Sequence, residues 1–154
     1  ASITCEKPAW LMARSFAESG PASVSGSTLT ITGAGGPIEI IPILQHHGEM
    51  NSLGFRVGGP HGGICYSPDI VGIPDDSYRH FEHLDMWIVD ALRPMPHPSH
   101  WSFKQAVGMI NKLQPKRALL THMHIDLDYD AMVRELPPHV APAYDGLSFE
   151  FEVG

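Results

Sequence analysis

The sequence predicts an α/β fold, and three observations carry that expectation. Short β-branched or apolar runs recur along the chain, helical spacing fills the gaps between the later runs, and glycine, proline or aspartate punctuates most junctions. The 154 residues suit one domain spanning 1–154, and a 43% hydrophobic content supplies enough material for a core.

Residues 1–27 are poorly patterned, with Ser, Gly and Pro at Ser19-Gly20-Pro21 and from Ser23 to Ser27, and read as a loop or partner-contacting segment. Residues 28–32 alternate and are β-branched, Gly33-Ala34-Gly35-Gly36 is a turn signal, and 38–44 resume in β-forming residues, so a hairpin is expected. That hairpin would leave His46 and His47 just past a strand end. Residues 53–57 and 63–67 form two more short strands joined by Gly58-Gly59-Pro60-His61-Gly62. A short helical pattern covers 74–83, and the apolar run 86–92 reads as a buried strand bearing Asp90 near its end.

Ser102-Phe103-Lys104-Gln105 has capping-box form, and Phe103, Ala106, Val107, Ile110 and Leu113 then recur at helical spacing until Pro115. Residues 117–121 read as a strand that delivers His122. Asp128 can cap a helix through Leu136, which Pro137-Pro138 ends. A last hairpin is expected to turn at Asp145-Gly146, with Leu147, Phe149 and Phe151 on one face.

A formal charge of -7 argues against a surface built to hold nucleic acid and suits carboxylates that meet cations. Cys5 and Cys65 stand far apart, so neither a disulfide framework nor a cysteine zinc site is implied, and a reducing cytoplasm is the expected location. No apolar run is long enough to span a membrane, and no secretory leader is visible. Gly58-Gly59 and Gly62-Gly63 lack the lysine of a phosphate-gripping loop. Trp10, Trp87 and Trp101 are read as packing residues.

Ten histidines are the chemical signal. They gather with aspartates after β-like runs, at Gln45-His46-His47-Gly48, Tyr66-Ser67-Pro68-Asp69, His97-Pro98-Ser99-His100 and Thr121-His122-Met123-His124-Ile125-Asp126. Imidazole and carboxylate bind divalent cations while leaving a position open, so a metal-dependent hydrolase site, or part of one, is expected.

With Asp90-Ala91-Leu92-Arg93 and Tyr144-Asp145-Gly146-Leu147 added, these segments run in an order that resembles the second half of metallo-β-lactamase-fold phosphodiesterases, in particular the phosphoribosyl 1,2-cyclic phosphate phosphodiesterases and their relatives. The resemblance covers residues 46–151 and implies an αββα sandwich, of which residues 28–154 would form the C-terminal half. It implies that His47 binds one metal, that Asp69 bridges two, and that His122 completes the second ligand set. His100 would project over the metals as the catalytic histidine, with His97, His124 and Asp126 toward substrate. Asp90 is read either as a strand-end cap or as hydrogen-bonding a ligand histidine. His46, His61, His80, His83 and His139 are read as surface or packing residues.

His122-Met123-His124-Ile125-Asp126-Leu127 nearly copies that family's early His-x-His-x-Asp-His signature, but Leu127 stands where the last histidine belongs and the segment falls late in the chain. His122 is therefore read as the late single ligand, and the early signature is expected upstream of Ala1 or absent. The implied enzyme is a metal-dependent hydrolase of a small phosphodiester, a cyclic phosphate or nucleotide-like molecule, using a metal-activated hydroxide and two divalent ions, Mn or Zn. This chain alone is expected to be inactive or weakly active, and a homodimer is one candidate assembly. The alternatives are a tRNA 3′-processing nuclease or thioester hydrolase of the same fold, or a non-catalytic half-fold module.

Overall fold

The computed structural model describes residues 27–59 and 62–151. The unpatterned N-terminal segment with Cys5 and Trp10, and His61 in the glycine-rich connection, lie outside them. Among the described residues one seven-stranded sheet organises everything, and its strands lie side by side in chain order. They are β1 (Leu29–Gly33), β2 (Gly36–His47), β3 (Met50–Val57), β4 (Ile64–Ser67), β5 (Met86–Asp90), β6 (Arg117–Thr121) and β7 (Val140–Pro142).

The first four strands form an antiparallel meander. From β4 onward the pairing is parallel, and parallel neighbours need a crossover between them. A 3₁₀ helix (Asp75–Phe81), helix α1 (Phe103–Leu113) and helix α2 (Tyr129–Glu135) lie in those crossovers. Both α-helices start as the sequence requires. Ser102 accepts from the Gln105 amide while the Gln105 side chain returns to the Ser102 amide, and Asp128 Oδ1 accepts from Ala131 N at 2.8 Å.

Period-two alternation gives the sheet two apolar faces. Cys65, Trp87, Val89, Ala118 and Leu120 point to the face covered by α1, where Ala106 and Ile110 meet Phe81 and Trp101 in the main core. Burying each large side chain there contributes about 1.5–3 kcal/mol. Ile64, Met86 and Leu119 point the other way.

Two expectations are corrected here. His46 and His47 are the last residues of β2 rather than loop residues beyond it, because the strand continues into a tight turn at Gly48-Glu49 that begins β3. Gly48 takes φ +65, and a Cβ there would press on Ser99, so the turn needs glycine. The C-terminal hairpin does not form among the described residues. Its turn exists, with Gly146 at φ +87, but the preceding strand has three residues ending in Pro142, which offers no N–H to a returning partner. Leu147, Phe149 and Phe151 instead cover Ile64, Met86 and Leu119.

Candidate metal centre

Strands β2, β4, β5 and β6 all run in one direction, because two antiparallel steps separate β2 from β4 and the rest are parallel. Their carboxyl ends therefore share one edge of the sheet, where open α/β sheets place ligands. His47 ends β2, Asp69 follows β4, Asp90 ends β5, His122 follows β6, and His100 returns to the same edge on the loop after β5. Backbone bonds fix that loop: Trp101 N donates to Ile70 O at 2.8 Å, and Leu92 N to Trp101 O at 3.0 Å.

These five side chains converge. His47, Asp69 and His100 place one ligand atom each within 4.8 Å of one another, and so do Asp90, His100 and His122. The imidazoles meet edge to face, with ring centroids 4.6 Å apart for His47 and His100 and 4.9 Å for His100 and His122. Asp69 connects the two groups, its Oδ1 lying 3.4 Å from His122 Nδ1. Both Asp69 and His122 sit in left-handed backbone, at φ +49 and +61, a conformation that aspartate and histidine tolerate better than most residues.

The hydrogen bonds set the free faces of the rings. His47 Nδ1 lies 2.8 Å from the Ser99 carbonyl, which can only accept, so Nδ1 carries the proton and Nε2 is left as a donor atom for a cation. His100 Nδ1 lies 2.5 Å from Asp90 Oδ2. Asp90 is fully buried, and its Oδ1 has no hydrogen-bond partner while lying 3.7 Å from His122 Nδ1. Burial pushes the Asp90 carboxyl above the ordinary carboxylate range, with the His100 contact pulling it back. A buried carboxylate oxygen without a partner, facing imidazoles, is a donor set suited to a divalent cation of the manganese or zinc kind.

The other sequence-predicted residues fall outside these two groups. His97 Nδ1 accepts from Ser99 N at 3.4 Å and stands 3.2 Å from Ser99 Oγ, which ties the loop, while its ring lies 5.1 Å from that of His100. His124 and Asp126 pair with each other at 3.0 Å on the exposed segment beyond His122. Asp90, in contrast, is a full member of the cluster. Its position at the end of a buried strand, ten residues before His100, was the available signal.

The family model for the Beta-lactamase superfamily domain matches residues 11–123. The chain belongs to this family. Its fold is that of the metallo-β-lactamase proteins: a solved diphosphatase from the PhnP family superposes with a TM-score of 0.74 at 33% identity, over 84% of this chain and 48% of that one. The metallo-β-lactamase fold protein YhfI from Bacillus subtilis superposes with a TM-score of 0.60 at 16% identity, over 77% of this chain and 51% of that one. A curated octanoyltransferase from Porphyromonas gingivalis strain ATCC BAA-308 / W83 is 26% identical over 113 residues, 71% of this chain and 22% of that protein. The chain thus spans about half of the solved relatives and less of the curated one. No helix among the described residues is long and apolar enough to cross a membrane.

Proposed function

We propose that the chain contributes to a metal-dependent hydrolase of small phosphodiesters, such as a cyclic phosphate or nucleotide-like molecule. The observation that supports this most directly is the convergence of His47, Asp69, Asp90, His100 and His122 at one sheet edge, with a buried Asp90 oxygen left without a partner. The 33% identity to a diphosphatase favours phosphorus–oxygen chemistry over other reactions of the fold. His47 and His122 would each bind one divalent cation, and Asp69 would bridge the pair.

The cations would supply charge neutralisation for the phosphodiester and a water of lowered pKa. The protein's own residues do the rest. Asp90 holds a proton on His100 Nδ1, which fixes the ring and leaves Nε2 as the nitrogen that would serve the leaving oxygen. Ser99 does the same for His47 through its carbonyl, so that this ring presents a lone pair. His97, His124 and Asp126, which lie outside the two donor groups, would meet the substrate's outer parts.

The test is metal content after loading with manganese or zinc, together with hydrolysis of bis(p-nitrophenyl) phosphate, by the intact protein, since this chain alone is expected to be inactive or weakly active. Bound metal and hydrolysis that disappears with His122→Ala support the reading. Stoichiometric metal without hydrolysis removes the phosphodiesterase assignment, and no bound metal removes the metal centre.

A further inference from the structure

Asp69 is held by a side-chain pair that belongs to neither donor group. Gln45 and Ser52 face each other across β2 and β3. Gln45 is completely buried, and its Nε2 donates to the Pro68 carbonyl at 2.9 Å and to Ser52 Oγ at 3.3 Å. Ser52 Oγ then donates to the Asp69 carbonyl at 2.7 Å. A single chain of bonds, Gln45 to Ser52 to Asp69 with a branch to Pro68, thus grips the backbone where it turns left-handed at φ +49.

Two features indicate that this grip serves position. The Gln45 amide oxygen is buried without a partner, a cost that an apolar residue at this site would not incur. Diagonally across from it on β3 stands Gly54, where a Cβ would collide with that oxygen and with the Tyr66 carbonyl, so the space for the amide is kept open by sequence. The same strand end also holds residues 71 and 72, since His46 N donates to Gly72 O at 2.9 Å and Val71 N to His46 O at 2.8 Å. His47 and Asp69 are therefore mounted on one rigid piece.

We propose that Gln45 and Ser52 are positioning residues that set the Asp69 carboxylate for cation binding, an inference that rests on the metal-centre reading above. Holding the Asp69 carbonyl fixes the backbone in a region that a free aspartate leaves readily, and a carboxylate that must bridge two cations tolerates little displacement.

The experiment compares wild type, Ser52→Ala and Ser52→Thr by titration with manganese, by the visible spectrum with cobalt, and by thermal melting without cation. Ser52→Ala is expected to weaken manganese affinity about 10–100-fold and to change the cobalt spectrum with little change in melting, and Ser52→Thr, which keeps the hydroxyl, to restore both. Wild-type affinity in Ser52→Ala overturns the positioning role alone. A loss that follows the melting temperature, or that threonine does not repair, assigns Ser52 to structure and also overturns it. A wild-type chain that takes up no cation overturns both this inference and the metal centre.

Discussion

Asp90 Oδ2 stands 2.5 Å from His100 Nδ1, while the other oxygen of the same carboxylate, 3.7 Å from His122 Nδ1, is buried without a partner. One side chain thus addresses two histidines from beneath. A buried charge of this kind lowers stability unless a cation or proton compensates it. Asp90→Asn removes the charge and keeps an oxygen for His100. It is expected to melt within a few degrees of wild type without cation, and to bind manganese about 10–100-fold more weakly. Parallel melting and titration curves check this; a steep fall in melting with unchanged affinity contradicts it.

The loop bearing His100 enters α1 directly through Trp101 and Ser102, so the helix cap also anchors the site. Ser102→Ala deletes the acceptor for Gln105 N and is expected to cost about 1 kcal/mol of unfolding free energy. Denaturant unfolding with unchanged slope measures it. Ser102→Asp, which retains a capping oxygen, should recover part of the loss.

Asp85 joins the start of β4 to that of β6. Its Oδ1 meets Lys116 Nζ at 2.6 Å and its Oδ2 accepts from Gly63 N at 2.8 Å, and these contacts, Lys116 foremost, hold its carboxyl below the usual carboxylate range. A folded-state pKa below the unfolded one means stability that is present above the unfolded pKa and lost as pH falls through the folded value. The melting difference between wild type and Asp85→Asn should therefore be full near neutrality and shrink below about pH 4. Because the Lys116 ammonium is largely exposed, added salt should remove part of that difference but leave the Gly63 contribution.

Cys65 is fully buried on β4 and burial pushes its thiol up to about 12. In a Cys5→Ser background it should resist iodoacetamide in native buffer near pH 8 and take one label on unfolding. Mass spectrometry before and after denaturation reads the result. Labelling of the folded protein would show that this part of the sheet opens.

How far the sequence discloses this molecule follows from the range of the interactions involved. Strand β6 and helix α1 were legible with their boundaries because period two and period 3.6 are local signals closed by local punctuation, proline after α1 and the Ser102 cap before it. The turn at Gly146 was also legible, but the strand expected after it was not formed, since pairing depends on a partner edge that Pro142 withholds. His47, Asp69, His100 and His122 were named from their motifs, and the structure gathers them. Gln45 and Ser52 could not be singled out, because an amide and a hydroxyl acquire their role only when β2 and β3 pair and the Pro68 loop folds against them. Asp90 lay between these cases: the end of a buried strand was visible, but the orphaned oxygen facing His122 is a property of three dimensions.

Because each strand of the sheet lies beside the one that precedes it in the chain, the polypeptide can grow by laying each new strand on an edge already built. Among the described residues, no strand waits during synthesis for a mate made much later. The clustered histidines and aspartates are strung along that same line, from the end of β2 at His47 to His122 after β6. A nascent chain leaving the ribosome therefore assembles this cluster late, once His122 has emerged, and the carboxylates spend the earlier interval without its imidazole.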